Sequence, residues 1–143
     1  FPEIGMAEKR IYVDTNVYMD YFEDRKDNLK PLGELALQLF ERTFSCEFKI
    51  IMSSLVLNEL KKWNHLEDGT DFIAKLKGMN KVEFVNENSE DRESASRRKE
   101  GSHYADRLHY VLAEKAKAEL FITRNWTDFY GLGDIPVLQP EFA

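Results

Sequence analysis

Five short runs of β-branched and apolar residues, each parted from the next by a stretch of helical periodicity, constrain this chain more than any other feature. The runs are RIYVD at 10–14, FKIIM at 48–52, KVEFV at 81–85, ELFIT at 119–123 and the weaker PVL at 136–138. Between them, LGELALQLFERTF (32–44), SLVLNELKKW (54–63), TDFIAKLKGM (70–79) and HYADRLHYVLAEKAKA (103–118) place apolar residues three and four positions apart. Strands separated by helices imply crossover connections. The alternation therefore predicts an α/β fold, a mainly parallel sheet covered by helices on both faces.

A chain of 143 residues is the size of one domain and can bury most of the surface that its unfolded form exposes. Met6 reads as a natural start, which makes 6–143 the domain and Phe1–Gly5 an appended or disordered leader. Charged residues make up 32% of the chain and no apolar run approaches a membrane span, so a soluble protein is expected. The single cysteine, Cys46, excludes an internal disulfide and suits a reducing, cytoplasmic compartment. With 20 Lys and Arg against 26 Asp and Glu, the net charge of -6 is unlike a protein that grips nucleic acid over its whole surface. A local cluster of carboxylates would add to that excess, so the sign is compatible with a metal-dependent enzyme.

The segment NENSEDRESASRRKEGS, 86–102, is nearly free of apolar residues. Glu93 and Arg97 stand at helical i, i+4 spacing there, so the segment reads as a solvated helix or mobile surface stretch, with a substrate-binding arm as the alternative.

Several carboxylates occupy positions that structure alone does not demand. Asp14 ends the first strand, where ligands of open parallel sheets bind; it is equally suited to capping the next helix. On the helix from about Ser54, Val56, Leu60 and Trp63 form an apolar stripe, and Glu59 falls at its margin. A charge there needs a cation, a partner such as Lys61 or Lys62, or an outlet to solvent. In the last long helix Tyr104, Leu108, Val111 and Leu112 make one apolar seam, and Asp106 shares a second, otherwise uncharged face with Tyr110 and Ala113. Asn125 and Asp128 both lie just past the end of the fourth strand, where turn residues are also common. Carboxylates that share a crevice repel one another, and a divalent cation relieves the repulsion. Oxygen-only ligands suit Mg²⁺ or Mn²⁺; neither Cys46 nor the three histidines, His65, His103 and His109, offers a zinc spacing.

VDTNVYMDYF, SSLVLNEL, HYADRLHYVLAEKA and LFITRNWTDF, in that order, resemble the four acidic motifs of the PIN domain family, especially its compact VapC-type toxin ribonucleases. The likeness runs from about Arg10 to Leu138. It implies a three-layer α/β/α sandwich with a five-stranded parallel sheet in the order 3-2-1-4-5, and metal-dependent hydrolysis of RNA. Carried over by position, Asp14 and Asp106 would be the principal metal ligands, with Glu59 and a fourth-motif residue completing the site. Where many relatives have Asp after Thr-Arg this chain has Asn125, with Asp128 three residues on, so either can be the fourth station. Thr15, Asn16 and Thr123 are candidate hydrogen-bond supports for the acids. Arg107, Arg124 and the Arg97, Arg98, Lys99 group are candidate phosphate contacts, and Trp126 or Tyr18 candidate stacking surfaces for bases. The resemblance also implies a cognate antitoxin and a homodimer. Competing readings are a PIN-like module that binds RNA or protein without cutting, an RNA-processing nuclease that is not a toxin, and a phosphotransfer domain with Asp14 as nucleophile. Against the last, the second residue after Asp14 is Asn16, not another Asp.

Overall fold

The computed structural model describes residues 8–98 and 102–143. The leader expected at 1–5 and Lys99 lie outside them. Five strands, β1 (Lys9–Val13), β2 (Phe48–Ser53), β3 (Val82–Val85), β4 (Leu120–Ile122) and β5 (Val137–Leu138), form one sheet in the order β3-β2-β1-β4-β5. Every neighbouring pair is parallel. The fold is thus the expected α/β arrangement, with that strand order. The central strands are apolar without alternation, Ile11, Tyr12 and Val13 in β1 and Ile50, Ile51 and Met52 in β2 being wholly buried, because both faces of the sheet are covered.

Six helices among the described residues supply that cover: α1 (Thr15–Glu23), α2 (Leu32–Phe44), α3 (Ser54–Lys62), α4 (Leu66–Gly78), α5 (Ser89–Arg97) and α6 (Tyr104–Lys115). One aromatic cluster joins α1, α2 and α4 through Tyr18, Phe40 and Phe72, with Phe40 and Phe72 centroids 4.7 Å apart. A second, built from Tyr12, Tyr110, Phe121 and Phe129, joins α6 to β1 and β4. Residues 108–113 of α6 are buried all round, whereas Tyr104, expected in its apolar seam, is exposed. The polar stretch after β3 contains α5, started by a reciprocal Asn88–Asp91 capping box and held to α6 by Lys115 on Asp91 at 2.8 Å.

Two details set the geometry near the site. The chain passes from β1 leftward to β2 and β3 and then crosses to β4 on the other side of β1, so the order reverses between β1 and β4 and leaves a crevice beyond their carboxyl ends. Helix α2 begins hard against the end of α1: a Cβ on Gly33 would stand 2.6 Å from the Asp24 Cα and 2.8 Å from the Asp20 carbonyl oxygen. Both are backbone atoms and cannot swing aside. Gly33→Ala is expected to destabilise the fold by about 1–3 kcal/mol, read as a lower urea midpoint at unchanged slope.

Candidate active site

Asp14 has extended backbone angles and caps α1, its Oδ1 accepting the Thr15 amide at 2.7 Å. The capping and crevice readings of this residue therefore coincide. Its Oδ2 accepts the Thr123 hydroxyl at 2.8 Å, and the Thr123 oxygen in turn accepts from the Asn16 amide group at 3.3 Å and the Asn125 backbone at 3.1 Å. Asn16 also accepts the Arg124 amide at 3.2 Å. Thr15, Asn16 and Thr123 thus knit the end of β1 to the end of β4, with Asp14 in the middle.

Glu59 faces the same point from α3. Its Oε1 accepts the Thr15 hydroxyl at 2.5 Å and lies 2.8 Å from His109 Nε2 on α6. That same nitrogen is 3.6 Å from Asp14 Oδ1. On the far side of the ring, His109 Nδ1 is 2.7 Å from the buried Tyr12 hydroxyl, which is 2.7 Å from Ser53 Oγ, the acceptor that caps α3 through the Val56 amide. The sequence pattern gives His109 no role beyond its lack of a zinc spacing. It is three positions from Asp106, one helical turn away, and that proximity to an otherwise unexplained acid is its one sequence signal.

Asp14, Glu59, Asp106, Asn125 and His109 line one cavity of about 350 Å³ at the carboxyl edge of the sheet. Asp14, Glu59 and His109 each present a ligand atom within 4.8 Å of the other two. Asp128, in a 3₁₀ turn at Trp126–Phe129, is exposed and outside this lining, but its charge is felt at Asp106. Of the two fourth-station candidates, Asn125 is the one on the cavity wall.

The electrostatics follow from crowding. Burial, then the charges of Asp14 and Asp128, pushes the Asp106 carboxyl up to about 6. Burial also raises Asp14, against the opposing pull of His109 and the Thr123 hydroxyl. For Glu59, burial works upward but is outweighed by the hydrogen bonds from His109 and Thr15, so the carboxyl stays below its usual value. Burial would lower His109; the carboxylates of Asp14 and Glu59 more than compensate and favour the imidazolium. In that state Nε2–H donates to Glu59 and Nδ1–H to the Tyr12 oxygen, whose own proton goes to Ser53.

The expected cationic contacts stand elsewhere. Arg124 is largely buried and bonds Glu141 at 2.7 and 2.9 Å and Gln139 at 3.2 Å. Arg107 donates to the Ala95 carbonyl at 2.8 Å and to that of Ser102, tying α6 to α5. Arg97 pairs with Glu93 and Arg98 with Glu114. Tyr18 is fully buried, and Trp126 packs edge-on against Tyr130 away from the cavity lining. The reverse holds for Trp63, expected in the apolar stripe of α3: it is 61% exposed and lines the cavity with Lys62 and Arg25.

A parallel sheet in this order, with an acidic cavity at its switch point, defines the class. The PIN domain model matches residues 11–133, and the chain belongs to the PIN domain family. Among solved structures it is similar to a toxin–antitoxin complex from Klebsiella pneumoniae, with 19% identity and a TM-score of 0.60 over 91% of this chain and 97% of that one. No curated protein matches it. No helix among the described residues is long and apolar enough to cross a membrane.

Proposed function

We propose that this protein is a Mg²⁺- or Mn²⁺-dependent endoribonuclease of the VapC type, the toxin of a toxin–antitoxin pair, acting in the cytoplasm as a homodimer until a cognate antitoxin binds it. The observation that carries the reading is the gathering of Asp14, Glu59, Asp106 and Asn125 on one cavity, from segments far apart in the chain. PIN domains are nucleases, and the neighbour in a toxin–antitoxin complex supports the toxin assignment.

The donor set fits a hard divalent cation. Asp106 is half-buried, and burial followed by the charges of Asp14 and Asp128 raises its carboxyl, a repulsion that a divalent cation would relieve. Asp14, Asp106 and Glu59 are the proposed ligands, with Asn125 completing the wall and Asp128 reinforcing the charge from outside it. When bound, the cation would hold the anionic phosphate and make the attacking water more acidic. Thr15 and Thr123 keep Asp14 aimed at the cavity. Glu59, ionised at neutral pH, can orient the water and accept its proton as the water oxygen bonds to phosphorus and the bond to the leaving oxygen breaks. His109 fixes the position of Glu59 and shares the negative charge of Asp14.

Incubation with mixed-sequence single-stranded RNA in Mg²⁺ or Mn²⁺ should give cleavage that EDTA abolishes and added Mn²⁺ restores. Failure of the protein, freed of any copurified partner, to cut any RNA under these conditions would overturn the reading. Growth arrest on expression, reversed by the product of a neighbouring gene, separates a toxin from an RNA-processing enzyme.

A further inference from the structure

Helix α3 carries Glu59 at the margin of its apolar face and is capped by Trp63, an exposed residue where the apolar stripe predicts a buried one. Glu59 and Trp63 stand four positions apart and therefore on one side of the helix, and both line the cavity. The helix stops at Trp63, whose amide bonds the carbonyls of Glu59 and Leu60, and Asn64 then takes a left-handed conformation with φ of 64°. His65 returns its amide to the Leu60 carbonyl at 2.7 Å. This closed turn fixes the Trp63 backbone at the cavity rim while the residue remains 61% exposed. Among the described residues the indole stacks on no other ring and covers no cation.

Its surroundings select the kind of ligand. Lys62, the preceding residue, also lines the cavity, and among the described residues its ammonium has no ion-pair partner. Arg25 reaches the same wall from just past the end of α1; it is engaged by Glu23 at 2.8 Å and by Asp20 at 3.7 Å, yet still exposed. The floor below is acidic. An aromatic face bordered by cations, above carboxylates suited to a metal, matches a ligand of alternating flat bases and phosphates. A peptide with an apolar anchor offers no phosphate to the Lys62 ammonium, and double-stranded RNA has no free base face to offer.

We infer that Trp63 is the stacking platform for a nucleotide base next to the scissile phosphate, with Lys62 and Arg25 holding the adjoining backbone. The inference rests on the nuclease reading for its orientation, but binding can be measured apart from cleavage. The chain has two tryptophans, so a Trp126→Phe protein reports on Trp63 alone. In Ca²⁺, a short mixed-sequence single-stranded oligoribonucleotide should quench that fluorescence, and its perfect duplex should not. In the parent, Trp63→Ala is expected to weaken binding of the same oligonucleotide by about five- to a hundredfold, and Trp63→Phe to recover most of it. With cleavage followed in Mn²⁺, the loss should appear in KM more than in kcat. Lys62→Gln should flatten the dependence of log affinity on log salt by about 0.7, the contribution of one phosphate contact on a single strand.

Unquenched Trp63 fluorescence together with Trp63→Ala affinity and KM within twofold of the parent would overturn the inference, as would a Trp63 that responds only to a co-expressed partner protein. Cleavage with unaltered KM in Trp63→Ala removes the platform and leaves the nuclease. Quenching without cleavage removes the nuclease and leaves the platform.

Discussion

Asp106→Asn is expected to lower RNA cleavage by at least about a thousandfold while making the metal-free protein more stable. The two effects have one origin. Asp106 is half-buried, and the charges of Asp14 and Asp128 add to the cost of ionising it, which places its carboxyl at about 6 rather than the ordinary 3.8. At pH 7.5 it is mostly ionised in a place that resists ionisation. An amide of the same shape removes that repulsion together with a proposed metal ligand. Allowing for solvent screening at a half-exposed group, the gain is about 1 kcal/mol, or about 3 °C in melting temperature at this chain length. Calorimetry in EDTA and a cleavage assay in Mn²⁺ check the two halves. Equal melting temperatures would mean that Asp106 is relieved by some other cation, and undiminished cleavage would remove it from the site.

Removal of the His109 ring should have the larger effect on stability. The imidazole is almost wholly buried, 2.8 Å from Glu59 and 3.6 Å from Asp14, and it is the internal counter-charge for both. His109→Ala is expected to destabilise the metal-free protein by about 3–5 kcal/mol, the usual cost of stranding buried charge, and Mn²⁺ should restore part of it by binding the folded state. The pH dependence of the parent follows from the same groups, with a contribution of the same sign from His65, which its hydrogen bonds to Asp68 and Glu23 raise. His109 has a folded value above 6.5, so its stabilising contribution is complete below that pH and is lost as pH rises through the higher folded value. Asp106, also raised, loses its share as pH climbs from 3.8 toward about 6. Both slopes have the same sign: metal-free protein should melt higher at pH 5.5 than at pH 8, and saturating Mn²⁺ should shrink the difference. A melting temperature that rises with pH over this range in a His65→Gln background would contradict the assignment of His109 as the imidazolium.

The strands were legible because burial on both faces turns each into a short uninterrupted apolar run, as in Ile50, Ile51 and Met52. Their order was not written in any single run; it depends on which edges pair, and it entered through the resemblance of four motifs. The acids that stand alone in an apolar setting, Asp14, Glu59 and Asp106, were visible as local anomalies. What stayed hidden was whatever depends on distant partners. His109 is an ordinary helical histidine until Tyr12 and Glu59, 97 and 50 residues away, are brought to its two nitrogens. Arg124 resembles a free cation until Glu141 folds back on it. Trp63 fits an apolar stripe on paper, but α3 ends one residue earlier and the left-handed Asn64 turns the chain at the rim. Helix α4 begins four residues before its apolar repeat suggested, at Leu66, since its first turn is polar and mostly exposed.

The sheet order also governs when the site can come into being. The Asp14 carboxylate is steadied by Thr123, 109 residues later, and the strand bearing it lies between β2, which follows it closely in the chain, and β4, which comes only after β2 and β3. A nascent chain emerging from the ribosome therefore carries Asp14, and then Glu59, before Asp106 and Asn125 exist to face them. Pairing across so long a loop is intrinsically slow. The cavity cannot assemble before Asn125 has emerged, and a chain that stops short of it has no means of completing the wall.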